Sequence, residues 1–181
     1  PAAEPLDWKT LEAPFLNDHV QLTSRDMFVK AGEAYFDPST RWIIFQAVPV
    51  PANDAKPDDF YSMFVAKLVR NSDGRITGIE APIPVSPPGS WNSCGWFHPR
   101  LPGHILLSST LTRPATQQKT GFSVGDRKYT WLFPDEAEMV VGVVPPLFAD
   151  VVGKRAPRGA ALELAPLFSL PRYQAEGSYS H

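Results

Sequence analysis

Two heptapeptides about 61 residues apart are built on one plan. Gly32-Glu33-Ala34-Tyr35-Phe36-Asp37-Pro38 and Ser93-Cys94-Gly95-Trp96-Phe97-His98-Pro99 each put two aromatics after a small or polar lead-in, then one polar residue and a proline. A strand-forming run follows both, over residues 42–48 and 104–109. A weaker third echo, Ala175-Glu176-Gly177-Ser178-Tyr179-Ser180-His181, comes about 82 residues after the second. Repeats of strand–turn–strand character are what stacked or radial β architectures leave in sequence. The spacings exceed the roughly 40–50 residues of a compact blade, so loops must be inserted. Residues 112–129 and 145–160 are the expected places.

Punctuation narrows the class further. Twenty prolines and twelve glycines in 181 residues leave little room for long helices and favour short segments joined by turns. With 43% hydrophobic residues the chain can still bury a core, so an all-β protein is expected. Its 17 basic and 19 acidic residues, net −2, argue against nucleic acid as a partner, since phosphate binding needs a basic excess. No apolar run approaches the roughly 20 residues that span a bilayer, and the longest, residues 139–149, is broken by Pro145 and Pro146. The one cysteine, Cys94, excludes an internal disulfide and any multi-cysteine metal site. The start, Pro1-Ala2-Ala3-Glu4-Pro5, has no Met and no basic-then-apolar leader, and reads as processed.

Along the chain, residues 1–30 read as an extended segment that ends in a strand, because residues 19–23 alternate. Residues 34–36, the turn Asp37-Pro38-Ser39-Thr40 and residues 42–48 form the first hairpin. Residues 60–69 fit strand or helix by periodicity; the turn Asn71-Ser72-Asp73-Gly74 and the run 76–85 favour a second hairpin.

The pattern resembles the TolB-like β-propeller repeats of exported bacterial proteins. The residues that carry the likeness are Gly32 to Pro38 with Arg41-Trp42-Ile43-Ile44-Phe45-Gln46, then Val85-Ser86-Pro87-Pro88-Gly89 leading to the second heptapeptide. Leu106-Leu107-Ser108-Ser109-Thr110-Leu111 and Tyr129-Thr130-Trp131-Leu132-Phe133-Pro134 extend it. Three departures stand out: Ser39-Thr40 replaces an Asp-Gly turn, the second turn over residues 100–103 is longer, and no second cysteine follows Leu111. The resemblance implies a partial propeller of about two four-stranded antiparallel blades with long loop insertions. The first blade spans about residues 31–88, with strands at 34–36, 42–48, 60–69 and 76–85. The second spans about 89–172, with strands at 95–97, 104–109, 137–144 and near 162–170. Residues 175–181 start a third motif. The chain is then a piece of a larger ring, or an incomplete propeller adapted to lie against something else.

Candidate chemistry is sparse. Gly121-Phe122-Ser123-Val124-Gly125 spells the G-x-S-x-G elbow, which needs a buried strand running into a helix. Its polar flanks point to a surface loop instead. The histidines His19, His98, His104 and His181 lack metal-ligand spacing, and His98 reads as a turn residue bonding nearby backbone. Asp54, Asp58 and Asp59 read as a solvated acidic loop, lacking the ligand series of a calcium loop. Cys94, without a base nearby in sequence, reads as a small buried residue. No catalytic, cofactor or metal site is expected.

The function expected is therefore a non-catalytic protein-binding or scaffolding subunit of an extracytoplasmic assembly, in the bacterial periplasm and peripheral to a membrane-bound complex. The alternatives are the propeller portion of a hydrolase or peptidase, as the resemblance allows, and a small-ligand or carbohydrate-binding module. Partner contacts are expected at the two open edges, through Val20 and Leu22 on one side and Tyr179 on the other, and Trp91 and Trp131, near loops, are further candidates for a binding surface. Apolar faces around Trp42, Phe45, Trp96 and Phe97 are expected to lack a neighbour on at least one side.

Overall fold

A computed structural model of the chain describes residues 7–16, 18–115, 120–124, 127–131, 134–153 and 162–180. Its regular secondary structure is mostly antiparallel β-sheet, with little helix. The first sheet is a meander of β1 (Phe28–Phe36), β2 (Trp42–Pro49), β3 (Ser62–Arg70) and β4 (Ile76–Ile79), with β5 (Ile83–Pro84) also on β3. The run expected as one strand over residues 76–85 is thus two: β4 pairs with the distal half of β3, as in Leu68 opposite Ile79, and β5 with the near half, as in Phe64 opposite Pro84. Pro82 sits in the break and has no N–H to give a ladder.

A second meander follows the same order, β6 (Asn92–Phe97), β7 (His104–Ser109), β10 (Glu138–Val143) and β11 (Leu164–Pro166). Both expected insertions fall in it. The hairpin of β8 (Thr120–Val124) and β9 (Arg127–Trp131) interrupts the β7–β10 connection. Helix α2 (Pro145–Val152) interrupts the β10–β11 connection, started by proline in its first turn and ended by Gly153 at φ 69°.

The N-terminal segment differs from expectation. Residues 8–12 form a short helix, α1 (Trp8–Glu12), and the Asp7 carboxylate accepts the Thr10 backbone N–H at 3.3 Å. Residues 19–23 are not a strand. Alternation shows that a segment has one apolar side, but a strand also needs a partner ladder, and none lies beside it.

Alternation along β2 and β3 sends side chains to two faces, both buried. Trp42, Ile44, Met63 and Val65 meet Phe97, Ile105, Leu107 and Val140 of the second sheet. Ile43, Phe45, Phe64 and Ala66 turn the other way, and Leu22 and Met27 close over them with Phe28. Trp42, Phe45 and Phe97 are core, as their matching repeat positions suggest, at 4%, 2% and 7% exposure, whereas the open side expected of the faces around them is covered.

Each insertion also reaches back to the first sheet. From α2, the Asp150 carboxylate pairs with Lys67 Nζ at 2.6 Å and accepts the Trp42 indole N–H at 3.0 Å. At the opposite end, Arg113 approaches Asp58 at 3.6 Å and lies over the Phe60 ring.

Candidate interaction surface

Strand register lets the two sheets be matched residue by residue. Tyr35 faces Ile44 across β1–β2, and Trp96 faces Leu106 across β6–β7. One strand on, Gln46 faces Met63 and Ser108 faces Met139. The Val85 N–H donates to the Met63 carbonyl at 2.8 Å, and the Leu167 N–H donates to the Met139 carbonyl at 2.8 Å. Ile44 thus corresponds to Leu106, Met63 to Met139 and Val85 to Leu167. Glu33 and Cys94 also correspond: each sits at a bulge in the first strand of its sheet, at φ 40° and 49°.

The third echo continues this geometry. Glu176, one repeat past Cys94, has φ 63°. A Cβ on Gly95 would lie 2.6 Å from Met63 Cε and 2.6 Å from Ile44 Cδ1; one on Gly177 would lie 2.5 Å from Met139 Cε and 3.5 Å from Leu106 Cδ2. Residues 173–180 therefore sit on the second sheet as the start of β6 sits on the first. The Gln174 N–H donates to the Ala137 carbonyl at 2.9 Å, and the Asn92 side chain makes the corresponding bond to the Tyr61 carbonyl at 2.8 Å. Residues 175–180 still count as coil, because nothing pairs with them: among the described residues their backbone makes no hydrogen bond.

Exposure marks where the repeat is left open. Val85, sealed between the two sheets, is 0% exposed, whereas its counterpart Leu167 is 54% exposed. Phe168 and Leu170 continue the patch. None of the three was singled out from the sequence; the offset of about 82 residues from Val85 was the signal available.

Of the residues expected to bind a partner, Tyr179 lies within residues 173–180 and Trp91 packs against that segment. The Tyr179 ring is 4.5 Å from the His98 ring and half-buried, and burial pushes its hydroxyl up. Trp91 packs edge-on against Tyr173, its own counterpart, at 5.6 Å. Burial, reinforced by Glu176, pushes the Tyr173 hydroxyl up to about 12. Val20 and Leu22 belong to a different place. Val20 is exposed on an open groove of about 660 Å³ shared with Phe36, Arg70 and Arg75, and Leu22 packs onto the core of the first sheet. Trp131 ends β9, and its side chain lies outside the described atoms, as His181 lies outside the described residues. No protein-family model, curated protein or solved structure matches the chain.

The remaining candidates resolve as local structure. Ser123 sits on β8 opposite Lys128 in a hairpin, so it is on a strand and not on the loop expected; β9, not a helix, follows it. His98 Nδ1 accepts the backbone N–H groups of Arg100 and Leu101, each at 3.0 Å. Its counterpart Asp37 does the same work, accepting from the N–H groups of Ser39, Arg41 and Trp42. Burial pushes the Cys94 thiol up; Ser93 opposes this, and the Glu33 and Glu176 charges reinforce it. Asp59 is held by Lys56 at 2.8 Å. Among the described residues no three His, Cys, Asp or Glu side chains converge as cation ligands would.

Proposed function

We propose that the chain is a non-catalytic protein-binding module of the TolB-like propeller type, and that it serves in an extracytoplasmic assembly. Each four-stranded meander is read as one blade, and residues 173–180 as the first strand of another. Head-to-tail stacking of successive sheets supports this, as does the bulge repeated at Glu33, Cys94 and Glu176. A non-catalytic role is favoured by the hairpin setting of Ser123 and by a Cys94 thiol whose pKa is raised when a nucleophile needs it lowered. The extracytoplasmic address rests on the TolB-like resemblance alone.

The single observation behind a protein partner is the contrast between Val85 and Leu167. A position that is sealed core in one repeat is open in the next, beside Phe168 and Leu170. Apolar clusters of this kind mark contact surfaces. Photo-crosslinkers placed at Phe168 and Leu170, with one at Glu80 as control, test the reading in envelope extracts of the source cell. A discrete protein crosslinked from the first two positions and not from the third is expected. Equal labelling from all three, with the chain sedimenting as a dispersed monomer, would sink the proposal.

A further inference from the structure

Independently of any partner, we infer that His98 is a proton-operated latch: the turn that joins β6 to β7, and through it helix α2, is held while the imidazole is neutral and released when it takes up a second proton. One ring nitrogen closes this turn. His98 Nδ1 receives the backbone N–H groups of Arg100 and Leu101, each at 3.0 Å. Backbone N–H groups only donate, so Nδ1 carries its lone pair and the ring proton sits on Nε2. The imidazolium has a proton on both nitrogens and no acceptor at all. Turning the ring over does not restore the bonds, because either nitrogen then meets the same two donors with a proton of its own.

The matching turn of the first sheet lacks this property. Asp37 stands in the place of His98 and receives the N–H groups of Ser39, Arg41 and Trp42. A carboxyl group keeps an acceptor oxygen whether or not it is protonated. Of two turns built on one plan, the second alone is undone by a proton gained between about pH 8 and pH 5, the range in which histidine side chains change charge.

His104 does not share the role. Its ring lies 6.3 Å from that of His98, and its Nδ1 is 3.2 Å from the Pro102 carbonyl. A carbonyl only accepts, so this bond needs a proton on Nδ1 and survives protonation of the ring. The other ionisable groups around the latch are Asp37 and Arg100, which line a cavity of about 100 Å³ with both histidines, and Tyr179, whose ring lies 4.5 Å from His98. Helix α2 contributes Leu147 and Val151 to that cavity, neither of which titrates.

The consequence reaches the first sheet. The carbonyl of Gly103, in the same turn, receives the Val144 N–H at 2.8 Å, where α2 begins. A Cβ on Gly103 would lie 2.7 Å from Phe148 Cβ, so turn and helix are in direct contact. Helix α2 in turn carries Asp150, fastened to Lys67 and to the Trp42 indole. Release of the His98 turn therefore loosens the seat of α2 and disturbs the Asp150–Trp42 bond.

The test is an NMR titration of the intact, isotopically labelled chain from about pH 8 to about pH 5. At the upper end the His98 ring should carry its proton on Nε2 alone. On acidification the amide protection of Arg100 and Leu101 should fall by about tenfold along the titration of His98, while Ser39 and Arg41 keep theirs. The Trp42 indole N–H resonance should move along the same curve. His98→Asp, which copies the first turn, should keep both amides protected throughout and leave the Trp42 signal still. His104→Gln should leave the response as it is in the unaltered chain. A proton on Nδ1 at the upper end, amides of Arg100 and Leu101 indifferent to pH, an indole signal that does not follow them, or a response that survives His98→Asp would each overturn the inference. The first three readings come from the unaltered chain, so they decide the matter even where a variant fails to fold.

Discussion

The Asp150 carboxylate of α2 receives the Trp42 indole N–H at 3.0 Å while pairing with Lys67 at 2.6 Å, so one side chain from the second repeat fastens two strands of the first. Arg41 adds a guanidinium at 3.5 Å. Trp42 is buried, and without Asp150 its indole N–H would lose the acceptor it has.

Asp150→Asn should therefore destabilise the chain by about 1–2 kcal/mol near neutral pH. The hydrogen bond from Lys67 holds the Asp150 carboxyl below its usual value, partly offset by burial and helped by Trp42. A folded-state pKa below the unfolded one gives stability that is present above the unfolded value, roughly 3.9, and lost as pH falls through the folded one. Denaturant melts of both proteins should diverge above about pH 5 and converge toward pH 3. A gap independent of pH would refute this.

Gly95→Ala and Gly177→Ala test the repeat geometry. At Gly95 the new methyl meets Ile44 and Met63, which are 0% and 1% exposed and cannot withdraw. A loss of about 1–3 kcal/mol is expected, the usual cost of overpacking a closed core. At Gly177 the one atom nearer than 3.3 Å is the terminal methyl of Met139, with no β-branched neighbour like Ile44 beside it, so the same change should cost less. Thermal unfolding of the two variants measures the difference.

Val85→Ala and Leu167→Ala form a matched pair. Val85 is sealed, and its truncation should cost about 1–2.5 kcal/mol. Leu167 is exposed, and its truncation should stay within about 0.5 kcal/mol while reducing self-association at high concentration. Equal costs would mean that the two positions are not related as the register implies.

Asp37→Ala should be more damaging than His98→Ala, although the two residues hold equivalent turns in the two sheets. Asp37 is 4% exposed and serves three backbone donors, of which the Trp42 N–H is buried, so its loss should cost about 2 kcal/mol. His98 serves two at a wetter site, for about 1 kcal/mol. Urea midpoints order the two.

Much of this was legible beforehand, for a physical reason. Paired aromatics before a polar residue and proline mark strand ends and turns through local chemistry, and local chemistry repeats in sequence. Hence most strands of the two sheets and both insertions fell close to where Tyr35, Trp96 and the offsets placed them, although the run 76–85 divides into two strands. The bulges at Glu33 and Cys94 left no trace, since a left-handed residue that is neither Gly nor Asn gives no compositional signal. Asp150 was equally silent, because its partners lie 83 and 108 residues away. Residues 19–23 misled because side-chain alternation reports a buried face and says nothing of a neighbouring ladder.

Finally, the joint between the two sheets uses a different face of each, so it has polarity. Interfaces of that kind never satisfy both partners at once: every unit added hides one surface and offers another, until the series closes on itself or is stopped. Here the starting surface is stopped, because Leu22 and Met27 lie across Phe45 and Phe64 as a lid on the first sheet. The far surface, at Leu106, Met139 and Leu167, carries only the narrow strap of residues 173–180. Among the described residues, one outer face of the pair of sheets is therefore closed over and the other is the more open, so a further surface could be received on one side alone.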